Sequence, residues 1–124
     1  NQRDPQPRDL IEIFQSGYQH WAVYIGGGYV VHLTVPTGNG ISGSGPGRRN
    51  KKGIVLKETL KDAVQDCKWK INNILDDKYI PRDADDIVKE ALSLAGTRHH
   101  YDLINYNCEH FATELRYGQS ESRQ

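Results

Sequence analysis

Cys108 and two upstream histidines, His20 and His32, are the groups in this 124-residue chain best suited to nucleophilic chemistry. Cys108 stands in Asn105-Tyr106-Asn107-Cys108-Glu109-His110-Phe111, at the head of an amphipathic run, Phe111 to Tyr117, that stops at Gly118. Asn105 or Asn107 can cap a helix there, because a short amide side chain accepts the open N–H groups of a first turn. Gly118 suits the left-handed residue that ends one. A cysteine at a helix N-terminus feels partial positive charge, which favours the thiolate, and the thiolate is the nucleophile. Against this stands the usual fate of a free cysteine, burial as a small apolar side chain. The histidines tip the balance. A thiol nucleophile needs a base within hydrogen-bond reach and a third group that orients that base.

The elements that must position these histidines are legible. His20-Trp21-Ala22-Val23-Tyr24-Ile25 and Tyr29-Val30-Val31-His32-Leu33-Thr34-Val35 flank Gly26-Gly27-Gly28, the pattern of a β-hairpin with a glycine turn. Register then decides whether the histidines cooperate, since side chains alternate along a strand and directly opposed residues share a face. A two-residue loop pairs Ile25 with Gly28 and sends the two imidazoles to opposite faces. A three-residue loop pairs Ile25 with Tyr29, sets His20 against Thr34 and Ala22 against His32, and puts both on one face. Cooperation therefore requires an odd loop or an equivalent bulge, with the Cys108 helix docked above that face. His110, two positions after Cys108, points away from it on a helix and reads as a structural partner. His99 and His100 read as a surface pair in a loop. Zinc ligands come in close pairs such as CxxC or HxxxH; no such pair occurs here, and no metal is expected.

The remainder reads as support within a single domain spanning 1–124. Residues 1–8 form a loose arm, Asp9 to Phe14 a strand, and Gln15 to Gln19 a turn around Gly17. The glycine-rich stretch 38–53, with Arg48, Arg49, Lys51 and Lys52, reads as a flexible loop whose cations can meet anionic head groups. Ile54-Val55-Leu56 is a short strand, Lys57 to Asp66 a short helix, and Cys67 to Ile71 a half-buried strand in which Cys67 packs rather than reacts. A loop over 72–81 leads to a helix over Asp83–Ala95, with Ile87, Val88, Ala91, Leu92, Leu94 and Ala95 as its buried stripe and Gly96 as its stop. Residues 119–124 are a polar tail. Sixteen basic residues balance sixteen acidic ones, so nothing global argues for nucleic acid. Two cysteines make no disulfide framework, which fits a reducing interior. No apolar run is long enough for a transmembrane helix, and no signal peptide is expected from the N-terminal residues.

His20-Trp21-Ala22, Gly28-Tyr29-Val30-Val31-His32-Leu33 and Asn107-Cys108-Glu109-His110-Phe111 resemble the lecithin:retinol acyltransferase family, most closely its small phospholipase A/acyltransferase branch. The likeness runs from about Pro7 to Gly118 and includes Asp9 to Phe14, Ile71-Asn72-Asn73 and Leu115-Arg116-Tyr117-Gly118. It implies an α+β fold, an antiparallel β-sheet packed against about three helices in a permuted papain-like thiol hydrolase arrangement. It implies Cys108 as nucleophile, His20 as general base and His32 as the orienting third member, with Asn107 and Tyr18 as oxyanion or supporting groups. The implied reaction is phospholipase A1/A2 cleavage and acyl transfer on glycerophospholipids through a cysteine acyl-thioester. The acyl group passes to water, a lysophospholipid or phosphatidylethanolamine, without metal or organic cofactor. The implied setting is a monomer, cytoplasmic and membrane-associated through a C-terminal segment that this chain does not include. Gln15, Gly27 and Thr34-Val35 depart from the family's usual residues, and none of them is a catalytic group. From the residues alone a thiol amidase or peptidase, or a non-enzymatic interaction domain, is also compatible with the pattern.

Overall fold

The computed structural model describes residues 4–15, 17–37, 40–42, 51–101 and 107–118. The strands are β1 (Leu10–Gln15), β2 (Tyr18–Gly26), β3 (Tyr29–Thr37), β4 (Gly40–Ser42), β5 (Lys51–Thr59), β6 (Lys68–Ile71) and β7 (Arg98–Tyr101). The helices are α1 (Leu60–Val64), α2 (Ala84–Leu94) and α3 (Cys108–Tyr117). The strands run β6-β1-β2-β3-β5-β7 across one sheet, and β4 pairs with β3 off this path. Every pairing is antiparallel. An antiparallel sheet with three helices is the α+β architecture expected.

The hairpin carries the register that the histidines require, through a bulge. Val23 opposes Val31 and Tyr24 opposes Val30, and the register then shifts so that Gly26 opposes Tyr29. Gly27 and Gly28, with φ of 65° and 87°, make a two-residue turn, and both have the positive φ that a primed hairpin turn demands. The extra residue sits in β2 beside that turn, and it restores the parity an odd loop would have supplied. A Cβ on Gly28 meets nothing within 4 Å, so Gly28→Ala tests the backbone alone. It is expected to cost about 1–2 kcal/mol in chemical denaturation, and an unchanged midpoint would show that the turn relaxes.

Alternation divides the sheet into two apolar faces. Leu10, Trp21, Val23, Val31, Leu33 and Val55 pack with Ile87 and Ala91 of α2 and with Phe111, Ala112 and Leu115 of α3. Ile11, Ile13, Ala22 and Val30 pack with Val64 of α1.

Five expectations change. The strand expected over Ile54–Leu56 runs on to Thr59, because Lys57, Glu58 and Thr59 pair with Val31, Val30 and Tyr29. The helix expected from Lys57 therefore starts only at Leu60, where the Thr59 hydroxyl accepts from the Asp62 N–H at 3.1 Å. His99 and His100 lie in strand β7 rather than a loop; they pair with Gly53 and Lys52 and complete the open edge of β5. Within the stretch expected as flexible loop, Gly40–Ser42 pairs with β3 and Lys51–Gly53 belongs to β5; residues 43–50, with Arg48 and Arg49, lie outside the described residues, as does the tail 119–124. Leu92, expected in the buried stripe of α2, is exposed, while Ile87 and Ala91 are buried as expected.

Candidate active site

The two histidines meet. His20 opposes Ile13 in the β1–β2 register, which puts its side chain on the face of Ala22 and Val30. There His20 Nε2 lies 2.7 Å from His32 Nδ1, the rings crossing edge-on with centroids 5.0 Å apart. Both imidazoles are buried. The other nitrogen of His32, Nε2, lies 2.6 Å from Glu58 Oε2. His20 Nδ1 is buried and has no hydrogen-bond partner. The shared face expected of the two histidines is therefore present, and it carries a third member.

Burial, and after it the neighbouring His32, pushes the His20 imidazole down to about 3. It is therefore neutral at physiological pH and can accept a proton. The hydrogen bond from His32 holds the Glu58 carboxyl below its usual range, against the opposing effect of its own partial burial. These directions make a stability prediction. The unfolded chain binds a proton at His20 near 6.5, whereas the folded chain binds it only near 3. In that window the unfolded state holds more protons, so stability falls with acidification by roughly 1.4 kcal/mol per pH unit. From pH 7 to pH 5 the loss expected from this group is about 2 kcal/mol, measured by urea denaturation. His20→Asn should lose markedly less over the same span; an equal loss would place the titration elsewhere.

A cavity of about 270 Å³ opens beside the pair, walled by Tyr18, His20, His32, Thr34, Glu58 and Cys67 among others. Tyr18 is thus a wall residue, half-buried. Cys67 lines this cavity too, in contrast to the purely packing role expected for it. Cys108 is not among the described residues that line it.

Cys108 is the first residue of α3 and is buried. The Asn107 side chain accepts from the Glu109 N–H at 3.0 Å and the His110 N–H at 3.3 Å. His110 Nδ1 accepts the Asn107 N–H in return at 3.2 Å, closing a capping box. So Asn107, not Asn105, is the cap, and His110 is a structural partner as expected; Asn105 lies outside the described residues. Gly118 ends the helix with φ of 78°. The expectation that α3 docks above the imidazole face is corrected. Its apolar side chains pack on the Trp21, Val23 and Val31 face, and Cys108 belongs to that cluster. The helix carries its apolar stripe on Phe111, Ala112 and Leu115, and only the Trp21 face offers enough apolar surface beside α2 to bury it. The structure thus joins His20, His32 and Glu58 and sets no hydrogen bond between Cys108 and His20 Nδ1.

Glu58 is the site residue that sequence reasoning missed. The helix expected over Lys57 to Asp66 gives its distance from His32 no meaning. Read as part of a strand beside β3, it stands opposite Val30, two residues from the partner of His32, within diagonal reach. Among the described residues no group of three or more His, Cys, Asp or Glu is arranged to hold a metal ion. No helix among them is long and apolar enough to cross a membrane.

The sequence profile of the lecithin retinol acyltransferase family matches residues 3–121. The chain is similar to human phospholipase A and acyltransferase 4, with 43% identity over 124 residues, covering 98% of this chain and 76% of that protein. It is similar to human phospholipase A and acyltransferase 3, with 45% identity over 125 residues and the same coverages of 98% and 76%. Human phospholipase A and acyltransferase 5 is 41% identical over 120 residues, covering 97% of this chain and 43% of that longer protein.

Proposed function

We infer the reaction from one premise: the chain belongs to the lecithin retinol acyltransferase family over nearly its whole length. Relatives named phospholipase A and acyltransferase are 41–45% identical to it. The chain is a phospholipid-acting enzyme of that kind, a hydrolase and acyltransferase. The observation that supports a base-assisted mechanism is the buried His20–His32 contact with His20 Nδ1 left open.

In the mechanism we propose, phospholipid enters with its ester carbonyl at the start of α3. Cys108 Sγ attacks the carbonyl carbon while His20 Nδ1 takes the thiol proton. Cys108 packs with the Trp21 cluster, so this step requires Sγ to come within hydrogen-bond reach of His20 Nδ1 when substrate binds. The oxyanion forms at the helix N-terminus, where the Cys108 backbone N–H and the helix dipole stabilise it; Asn107 and Tyr18 support the site as cap and wall. The carbon–oxygen bond to glycerol breaks, and the departing alkoxide takes the proton from His20. The acyl group is now a thioester on Cys108. Water, a lysophospholipid hydroxyl or the amine of phosphatidylethanolamine then gives a proton to His20 and attacks the thioester carbon. The carbon–sulfur bond breaks, and the proton returns to Cys108. Covalent catalysis divides one difficult transfer into two easier ones. The substrate is met at a membrane surface.

The test is intact-protein mass spectrometry after brief incubation with a phosphatidylcholine of defined acyl chains. A gain of one acyl mass, labile to hydroxylamine and mapped to the peptide bearing Cys108, is expected. An adduct mapped to Cys67 would reassign the nucleophile. No adduct and no released fatty acid would reject the reading.

A further inference from the structure

Beyond the two histidines that the motif supplies, the structure holds a third group in line, and its chemistry fixes theirs. We propose that Glu58 is a positioning residue that sets the tautomers of both His32 and His20, so that His20 presents a bare Nδ1 as the base. The proposal rests on the function inferred above and deepens it.

The argument follows protons along the line. A carboxylate only accepts hydrogen bonds. Glu58 Oε2 stands 2.6 Å from His32 Nε2, so that nitrogen must carry a proton and donate it. A neutral imidazole carries one N–H, and His32 Nδ1 is then an acceptor. His20 Nε2 stands 2.7 Å from His32 Nδ1, so His20 donates from Nε2. Its remaining nitrogen, Nδ1, holds a lone pair. That atom is buried and has no hydrogen-bond partner. One carboxylate on β5 thus orients a base on β2 through an imidazole on β3. Without it both histidines have two near-equal tautomers, and half of the choices place a proton on the atom that must receive one.

Charge supports the same assignment. The hydrogen bond from His32 keeps Glu58 ionised. Burial opposes a positive charge on His20, and a carboxylate one imidazole away offsets that cost when His20 takes the thiol proton. The Glu58 side chain lines the cavity and is 29% exposed, so burial only partly opposes its ionisation. Asp62 lines the same cavity, but both nitrogens of His32 are taken by His20 and Glu58 and His20 Nδ1 has no partner, so Asp62 does not share the role.

Glu58→Gln is the test, because glutamine keeps the shape and can either donate or accept, which removes the tautomer lock. The readout is the ¹⁵N chemical shifts of the two imidazoles in the full chain, with kcat and KM for phosphatidylcholine hydrolysis beside them. The wild type is expected to show both rings protonated at Nε2. The variant is expected to show mixed tautomers, with kcat lowered roughly 10- to 100-fold and KM unchanged. Glu58→Asp, which keeps a carboxylate, should recover part of kcat and most of the wild-type shifts, and it guards against a folding defect peculiar to glutamine. Wild-type shifts in Glu58→Gln overturn the proposal whatever kcat does. Mixed tautomers with unchanged kcat overturn its role in positioning the base. Wild-type protein with the expected shifts and no phospholipid turnover would reject the inferred function and leave the lock itself standing.

Discussion

Cys108→Ala is expected to lower fatty-acid release from phosphatidylcholine by at least about 10³-fold, with the folded state retained. The loss follows from chemistry: without Sγ no thioester forms, and only binding and oxyanion stabilisation remain. Folding should survive because the substitution removes one buried atom from a cluster that also contains Trp21, Phe111 and Leu115, a cost of order 1 kcal/mol. Cys67 supplies the control. It lies in the wall beside His20 and His32 but follows the end of α1 instead of opening a helix. It has no helix N-terminus to favour its thiolate. Cys67→Ala should therefore keep most of the rate. The paired kinetic assay, run with circular dichroism on both variants, checks the assignment. A rate that survives loss of Cys108 and falls with loss of Cys67 would transfer the nucleophile to the cavity cysteine.

Arg116→Ala is expected to be the most destabilising single change outside the apolar core, at about 2–3 kcal/mol. Arg116 is buried and faces the Asp76 carboxylate, the Arg8 carbonyl and, at 4.0 Å, the Asp9 carboxylate. Its Nε and one terminal nitrogen reach the Asp76 carboxylate at 3.1 and 3.0 Å, and the other terminal nitrogen donates to the Arg8 carbonyl at 2.7 Å. The Tyr117 hydroxyl donates to Asp76 at 2.7 Å and accepts from the Leu75 N–H at 3.0 Å. Burial first, and then the bond to Asp76, pushes that hydroxyl up to about 12, so it stays a donor. This network ties the end of α3 to the 72–82 loop and to the segment before β1. Alanine leaves the Arg8 carbonyl without its donor. The Asp76 side chain is 44% exposed, so water compensates that partner and the upper range for a fully buried pair is not reached. The expected fall in Tm is roughly 10 °C, measured by thermal denaturation. Arg116→Lys, which cannot make the two-pronged contact, should lie between. A shift under about 2 °C for alanine would show that the network contributes little.

How much of this was legible follows from range along the chain. The hairpin, the capped start of α3 at Asn107 and its stop at Gly118 rest on neighbours a few residues apart. Glycine supplies positive φ, a short amide accepts first-turn N–H groups, and strand side chains alternate; these are properties of residue type and spacing. The shared face of His20 and His32 was legible as a parity condition. The device that met it was not: a bulge in β2 with a two-residue turn satisfies the same parity as a three-residue loop, and only packing on both sides of β2 chooses between them. The proposal of Cys108 as nucleophile and His20 as base came from motif and residue chemistry.

Tertiary structure decided the rest. Arg98–Tyr101 became a strand because β5 had an open edge to fill, and no local alternation announces that. Lys57–Thr59 joined β5 instead of a helix because β3 lay alongside, and this alone brought Glu58 to His32 across 26 residues. Arg116 met the Arg8 carbonyl across 108 residues. Which face α3 covers was settled by where apolar area remained to be buried with α2. The sequence by itself determined the candidate reacting groups and the local turns and caps, since these depend on side-chain chemistry and backbone freedom at short range. The fold determined the order in which His20, His32 and Glu58 share their protons, because a tautomer is set by the partner a ring meets, and those partners come from three different strands.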